Sequence, residues 1–375
     1  MIRNFKRTAA IFGVVAVGSA ALVACGDSDN GTDSTATTAA EGTAAGSAEG
    51  LSGTTGQLVG EGASSQQNAM DYFNVKYQEA VSGASLAYTA SGSGSGRTNF
   101  VGGQVAFAGS DSPLSEDQVE PAAERCGGND AWHLPFVIGP VAVAYNLEGV
   151  EELNLSIPTV AKIFKGEITS WNDEAIAAEN EGVELPDTNI SVVYRSDESG
   201  TSDNFQKFLQ AAAPEDWETD GQQFPSAVGE GANGSNGVAT QVTNIDGGIT
   251  YVESGFAEQQ GLGIANLDFG AGPVELNTDS VGVALDNLEF VNEGHDMVVD
   301  TDALFASNAE GSYPLILTTY EIVCSAGYDE TTSAMVKDFL TVALNSQDDG
   351  LAELGYIPVT GAHHERLVEA VEAIQ

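Results

Sequence analysis

The chain has 375 residues, with 55 Asp and Glu against 12 Lys and Arg, so its formal net charge is −43 at pH 7. A surface this acidic repels nucleic acids and anionic lipid headgroups, which excludes both as binding partners. Beyond the first 24 residues, no apolar run reaches the roughly 20 residues that a membrane-spanning helix needs.

The N-terminus has the composition of a secretory signal peptide, predicted over residues 1–24. Arg3, Lys6 and Arg7 precede an apolar run that extends to Ala24. The residues before Cys25 resemble a bacterial lipobox, in which the cysteine is acylated and becomes the first residue of the mature chain. The alternative is an ordinary signal peptide followed by an incidental cysteine.

Residues 25–50 contain Gly, Ser, Thr, Ala, Asp and Glu but no aromatic residue. Such a composition cannot bury enough apolar surface to fold, so this stretch is predicted to be a flexible tether. The residues that follow exceed what one hydrophobic core usually serves, and two lobes are expected. In an exported chain, Cys126 and Cys324 are most simply one disulfide; two buried free thiols are the alternative.

The pattern of strand, polar turn and helix recurs four times. The turns lie at residues 60–65, 91–96, 110–115 and 195–202. An amphipathic helix follows the first turn, and a short apolar strand at 105–108 is predicted before the third. Parallel α/β sheets present such turns at the carboxyl ends of their strands, where ligands bind. Several turns could therefore converge on one ion.

The fourth turn carries the clearest sign of ligand binding. Four of the residues 190–194 are β-branched or aromatic and predict a strand, namely Ile190, Val192, Val193 and Tyr194. The apolar spacing in 205–209 predicts a helix. Arg195, between them, presents a planar fork that matches two oxygens of a phosphate or carboxylate. Hydroxyl and N–H donors at the helix start follow it, namely Ser199, Gly200 and Thr201. The alternative is a well-capped helix that binds nothing.

Taken in order, these turns resemble the PstS family, the phosphate-binding lipoproteins of bacterial phosphate ABC transporters. The resemblance covers nearly all of the chain after the tether. It rests on the segments 60–64, 92–96, 108–114, 163–168 with 171–173, 195–202, 236–239 and 248–253. The chain departs from the family pattern at Ser64-Ser65 and in the second turn. Ser93 is the carried-over donor there, and it stays open whether Ser65 or Ser95 also contacts the ligand.

The resemblance implies an α/β fold of the two-lobe periplasmic-binding-protein type (type II), with a hinge of two crossover segments. One lobe would comprise 51–138 and 312–375, and the other 139–311. Phosphate would sit in the cleft between them, with no metal and no cofactor. The family's role implies delivery to the permease subunits of an ABC importer. It also implies an extracytoplasmic location, held to the outer face of the cell membrane only by a lipid on Cys25.

Mapped residue by residue, the family's site falls on both lobes. Ser64, Ser93 and Asp111 would face Arg195, Ser199, Gly200 and Thr201. Asp197 would either hold the guanidinium of Arg195 or cap the helix.

Asp111 requires a physical explanation, because a carboxylate normally repels an anion. Hydrogen phosphate still carries a proton near neutral pH and can donate it to Asp111. Sulfate has no proton to donate and would leave the carboxylate unpaired, at a cost of about 1–3 kcal/mol or more. Asp111 therefore predicts selection of phosphate over sulfate, while arsenate should be accepted.

The sequence has two rival functional interpretations. A secreted serine hydrolase or phosphatase would use Ser199 as nucleophile and a histidine as base. The sequence disfavours an enzyme, since Ser199 lacks the G-x-S-x-G elbow and no histidine lies in a recurrent turn. A sensor or adhesin that has lost its ligand is the other rival, and the presence of Arg195 and Asp111 argues against it.

Overall fold

The computed structural model describes residues 50–286, 288–306 and 309–375. The predicted signal peptide, Cys25 and the tether up to residue 49 lie outside this part of the chain. No helix within it is long and apolar enough to span a bilayer.

Strands and helices alternate along the described residues, and the mixed α/β class is confirmed. The strands are β1 (Gly56–Gly62), β2 (Ala84–Thr89), β3 (Phe107–Ser110), β4 (Ala131–Asn146), β5 (Asn154–Ser156), β6 (Ser191–Arg195), β7 (Glu230–Ala232), β8 (Gly248–Glu253), β9 (Gly263–Ile264), β10 (Asn266–Asp268), β11 (Pro273–Val274) and β12 (Ile316–Cys324). The helices are α1 (Gln67–Ala80), α2 (Ser93–Val101), α3 (Glu116–Arg125), α4 (Ile157–Lys165), α5 (Glu174–Glu179), α6 (Gly200–Ala212), α7 (Gly234–Thr243), α8 (Ser254–Gln259), α9 (Thr278–Leu285), α10 (Thr301–Phe305), α11 (Glu330–Asn345), α12 (Asp349–Ala352) and α13 (Gly361–Ala373).

The main sheet has the order β2-β1-β3-β12-β4-β8-β6-β7, with β9 also paired to β4. β1, β2 and β3 are parallel, as are β7, β6 and β8, whereas β12 and β4 run antiparallel to their neighbours. The turns after β1, β2 and β3 therefore leave the same edge of the sheet, as the sequence predicted. The third strand begins at Phe107 rather than Val105, because only residues 107–109 pair with β1.

Strand β4 belongs to both halves of this sheet. Its residues 131–140 pair with β12, and residues 141–146 pair with β8. Every residue from His133 to Tyr145 is buried. The chain thus passes from one half of the sheet to the other inside a single continuous strand.

Aromatic clusters fix a helix against each half of the sheet. On the first half, Phe339 of α11 stacks on Phe107 and meets Tyr77 edge to face. On the second half, Phe205 of α6 stacks on Tyr251 of β8, with ring centroids 4.6 Å apart. Because Phe205 lies in the first half of α6, this stacking fixes the N-terminus of that helix over the sheet.

The predicted disulfide is confirmed. Cys126, which ends α3, is bonded to Cys324 at the end of β12, with their Cα atoms 5.4 Å apart. The bridge joins positions 198 residues apart in sequence. It ties α3 to a strand of the sheet's first half.

Candidate functional site

A cluster of hydroxyl groups surrounds Asp111, which directly follows β3. Ser65 and Thr319 each donate a hydrogen bond of 2.7 Å to Oδ1, and Ser93 donates one of 3.2 Å to Oδ2. Ser93 Oγ also accepts from the Asp111 backbone N–H at 3.1 Å. We refer to Asp111, Ser65, Ser93 and Thr319 as the Asp111 cluster.

The surroundings of Asp111 favour its protonated form. Burial raises the pKa of the carboxyl to about 6, and the charge of Glu253 acts in the same direction. The hydrogen bonds from Ser65 and Thr319 and the charge of Arg195 oppose the shift. Asp111 is therefore a strong acceptor for a proton that a ligand brings.

Arg195, the last residue of β6, is held by three side chains. Asp197 accepts from its Nε at 2.8 Å and from its Nη2 at 2.5 Å. Nη1 donates to Thr201 Oγ1 at 3.3 Å and to Ser235 Oγ at 3.2 Å. We refer to Arg195, Asp197, Thr201 and Ser235 as the Arg195 cluster. Of the two roles predicted for Asp197, the structure has the one that holds the guanidinium.

Charge pairing within the Arg195 cluster outweighs the cost of burial. Burial opposes the charge of Arg195, yet the hydrogen bond and charge of Asp197 raise the pKa of the guanidinium above its usual value. Burial likewise acts against ionised Asp197, but Arg195 and the Gly234 N–H hold the pKa of that carboxyl below its usual value. Both groups are therefore ionised, and the positive charge is already balanced.

The N-terminus of α6 lies against Asp111. Ser199 is its N-cap and accepts from the Ser202 N–H at 3.1 Å, so the predicted capping is present. A Cβ on Gly200 would lie 2.4 Å from Asp111 Cβ and 2.6 Å from Ser93 Oγ. Only glycine permits this approach, which brings the helix N-terminus to the Asp111 cluster.

Ser64 contacts the Arg195 cluster rather than Asp111. Its Oγ accepts from the Ser235 N–H at 2.9 Å and lies 3.2 Å from Ser235 Oγ. Ser65 fills the place beside Asp111, and Ser95 makes no described hydrogen bond to either cluster. Adjacent serines thus serve different clusters.

Sequence reasoning missed Ser235, Thr319 and the contact of Glu253 with Thr201. Glu253 is 1% exposed; its Oε1 accepts from Thr201 Oγ1 at 2.7 Å, and its Oε2 has no partner among the described residues. Ser235 follows Asn233-Gly234, a pair that is typical of turns and lies at the start of α7. This signal could have pointed to Ser235. Thr319 lies inside the fully buried strand β12, where no local sequence signal marks it.

No described hydrogen bond joins a histidine to the Asp111 cluster or to the Arg195 cluster. His133 pairs with Asp296 at 2.7 Å, and its Nε2 accepts from the Leu114 N–H. No described hydrogen bond joins Ser199 to a histidine, so the geometry does not support the serine hydrolase. Within the part of the chain that the structure describes, no cluster of His, Cys, Asp and Glu could hold a metal ion.

The arrangement suits a compact oxyanion that carries a proton. Hydroxyls, a guanidinium and the free N–H groups at the start of α6 can donate to its oxygens. Asp111 can accept a proton from it. Because Asp197 balances Arg195, neutral donors would stabilise much of the anion's charge.

Comparison with known proteins agrees with this chemistry. Residues 37–347 match a family model described as a PBP superfamily domain. The chain is 45% identical over 374 residues to Phosphate-binding protein PstS 3 of Mycobacterium tuberculosis, an alignment that covers 99% of this chain and 100% of the relative. It is 42% identical over 384 residues to PstS 2 of the same species, with coverage of 99% and 100%.

A solved structure has the same fold. The phosphate binding protein from Stenotrophomonas maltophilia superposes with a TM-score of 0.61 at 23% identity, covering 83% of this chain and 92% of that one. The extent of the match to the two mycobacterial relatives settles the classification: the chain belongs to the PstS family of phosphate-binding proteins, within the PBP superfamily.

Proposed function

We propose that this protein captures inorganic phosphate between the Asp111 cluster and the Arg195 cluster. The observation that carries the proposal is the joint position of a proton acceptor, Asp111, and a fixed guanidinium, Arg195, on either side of the N-terminus of α6. Ser64, Ser93, Ser199, Gly200 and Thr201 complete the proposed set of ligand contacts. Ser65 and Thr319 would hold Asp111 in place.

The ligand would lie in a cleft between two lobes, 51–138 with 312–375 and 139–311. The change of partner along β4 at residues 140 and 141 supports this division. Contacts from one proposed lobe to the other include the Gly94 N–H donating to the Glu198 carbonyl at 3.1 Å and the bond between Ser235 and Ser64. These contacts would form on closure around the ligand.

The protein would act outside the cytoplasm as a binding protein, not as an enzyme. Its cargo would pass to the permease subunits of an ABC transporter, and a lipid on Cys25 would anchor it to the outer face of the membrane. The signal-like residues 1–24 and the names of the mycobacterial relatives support this role.

Calorimetric titration of the purified protein with phosphate, arsenate and sulfate tests the proposal. We expect heat of binding with phosphate and arsenate and little with sulfate. The absence of binding to phosphate would contradict it. Phosphatase and esterase assays, with Ser199→Ala as the comparison, test the enzyme alternative; turnover lost in that variant would favour the enzyme.

A further inference from the structure

Behind the Asp111 cluster, three buried polar atoms lack a hydrogen-bond partner among the described residues. They are Gln66 Oε1 and both side-chain oxygens of Glu321. Gln66 and Glu321 are each 0% exposed. Leaving such buried atoms unpaired destabilises the folded state, so the surroundings should supply a missing donor.

The two side chains meet over a glycine. Glu321 of β12 pairs in register with Gly109 of β3. A Cβ on Gly109 would lie 2.2 Å from Gln66 Nε2 and 2.3 Å from the Tyr88 hydroxyl. The absence of a side chain at Gly109 thus leaves room for the carboxamide of Gln66 beside Glu321.

A single proton on Glu321 would give all three unpaired atoms a hydrogen-bond partner. All three are acceptors while Glu321 is ionised. A protonated Glu321 can donate its O–H to Gln66 Oε1, and its other oxygen can accept from Gln66 Nε2. That nitrogen has two hydrogens and gives only one to the Tyr88 hydroxyl, at 3.1 Å.

The pair is connected to the site through the chain itself. Gln66 directly follows Ser65, whose hydroxyl donates to Asp111, and the Tyr88 hydroxyl that Gln66 contacts donates to the Ala63 carbonyl at 2.9 Å. Gln66 and Tyr88 together therefore fix both ends of the turn that carries Ser64 and Ser65.

We propose that Glu321 is a neutral carboxylic acid paired with the Gln66 carboxamide, and that this pair is a positioning element for the turn at Ser64-Ser65. The inference rests on the proposed function only for its effect on phosphate. The charged and titratable groups around Glu321 are Asp111 and Tyr88. Burial raises the pKa of Glu321 well above its usual value, the Gln66 carboxamide opposes the shift, and Asp111 adds to it.

The pH dependence follows from the direction of that shift. A carboxyl whose pKa is raised by folding binds a proton more tightly in the folded state. The stability that this proton contributes is therefore lost as the pH rises from the ordinary pKa of a glutamate towards the raised pKa of Glu321. Ionisation would also remove the O–H donor from Gln66 and place a second negative charge near Asp111.

The test compares Glu321→Gln, which keeps a neutral amide in place of the acid, with wild type and Glu321→Leu. Melting temperature and phosphate affinity are measured from about pH 5 to about pH 9. We expect the melting temperature of Glu321→Gln to gain on wild type as pH rises. Its phosphate affinity should match that of wild type while Glu321 stays protonated in the folded protein and exceed it once the acid ionises. Glu321→Leu should bind phosphate more weakly throughout, and the exposed control Glu181→Gln should follow wild type.

Parallel melting-temperature profiles of Glu321→Gln and wild type would overturn the inference. If wild type bound no phosphate, the proposed function would fail, but the comparison of melting temperatures would still decide whether Glu321 is neutral. If wild type binds phosphate and the glutamine variant shows no alkaline advantage in affinity or melting temperature, only the role of Glu321 fails.

Discussion

The Asp111 cluster and the Arg195 cluster differ in whether their charged group is paired with an opposite charge. Arg195 is paired with Asp197 two residues along the chain, so the Arg195 cluster carries little net charge. Asp111 is surrounded by hydroxyls from Ser65, Ser93 and Thr319 and has no cation of its own. The Arg195 cluster is thus suited to giving affinity for any tetrahedral oxyanion, and the Asp111 cluster to choosing among such anions by their protons.

Of the changes considered, Asp111→Asn should have the largest effect on the selection between anions. Asparagine can donate to an unprotonated oxyanion, so sulfate should gain affinity relative to phosphate. Selection by a missing hydrogen bond can reach about 10⁴-fold, which sets the upper limit of the change. Competition between the two anions measures the ratio, and a preserved ratio would place selectivity elsewhere.

Selectivity in the wild-type protein should also depend on pH. Because the pKa of Asp111 is raised to about 6, the carboxyl is protonated below that value and can no longer accept the ligand's proton. The phosphate-to-sulfate ratio should narrow as pH falls through about 6, and the part of this change that Asp111 causes should be absent in Asp111→Asn. Stability has the opposite trend for this group: its raised pKa destabilises the fold as pH rises from about 4 to about 6.

Arg195→Ala should lower phosphate affinity by about 1.5–3 kcal/mol, the usual contribution of a charged hydrogen bond, with a smaller effect on selectivity. The melting temperature should also fall, because Asp197 is left buried without its partner. Arg195→Ala combined with Asp197→Ala separates the two effects. The double variant should regain stability while its affinity for phosphate stays low. Unchanged affinity in the single variant would remove Arg195 from the site.

Gly200→Ala tests the junction between the two clusters without altering a polar group. The added methyl would lie 2.4 Å from Asp111 Cβ, and overpacking of this kind costs about 1–3 kcal/mol. We expect weaker binding of phosphate and sulfate alike. Gly237→Ala in α7 is the matched control, since the nearest atoms to its methyl are 3.9 Å away. Equal affinity in both variants would mean that the junction opens when ligand binds.

The two clusters also differ in how far the sequence revealed them. Arg195, Asp197 and Thr201 lie within seven positions, so a strand, a turn and a helix start brought them together by local rules alone. The Asp111 cluster needs tertiary pairing: Thr319 reaches Asp111 only because β12 lies beside β3.

Ser64 and Ser65 also show that local sequence does not determine tertiary contacts. The sequence could not tell which of Ser64 and Ser65 faces Asp111, because that depends on the conformation of the turn between β1 and α1. Similarly, the class of fold followed from recurring strand, turn and helix units, but the insertion of β12 between β3 and β4 did not, since strand order depends on contacts distant in sequence.

That insertion has a consequence for the order in which the molecule is assembled. β12 fills the gap between β3 and β4, carries Thr319 and ends at the cysteine that bonds Cys126, yet it is synthesised long after its neighbours. A chain that is synthesised from its N-terminus must therefore leave both facing strand edges open until residue 324 has been made. Formation of the disulfide and completion of the Asp111 cluster then become late, nearly simultaneous events in folding.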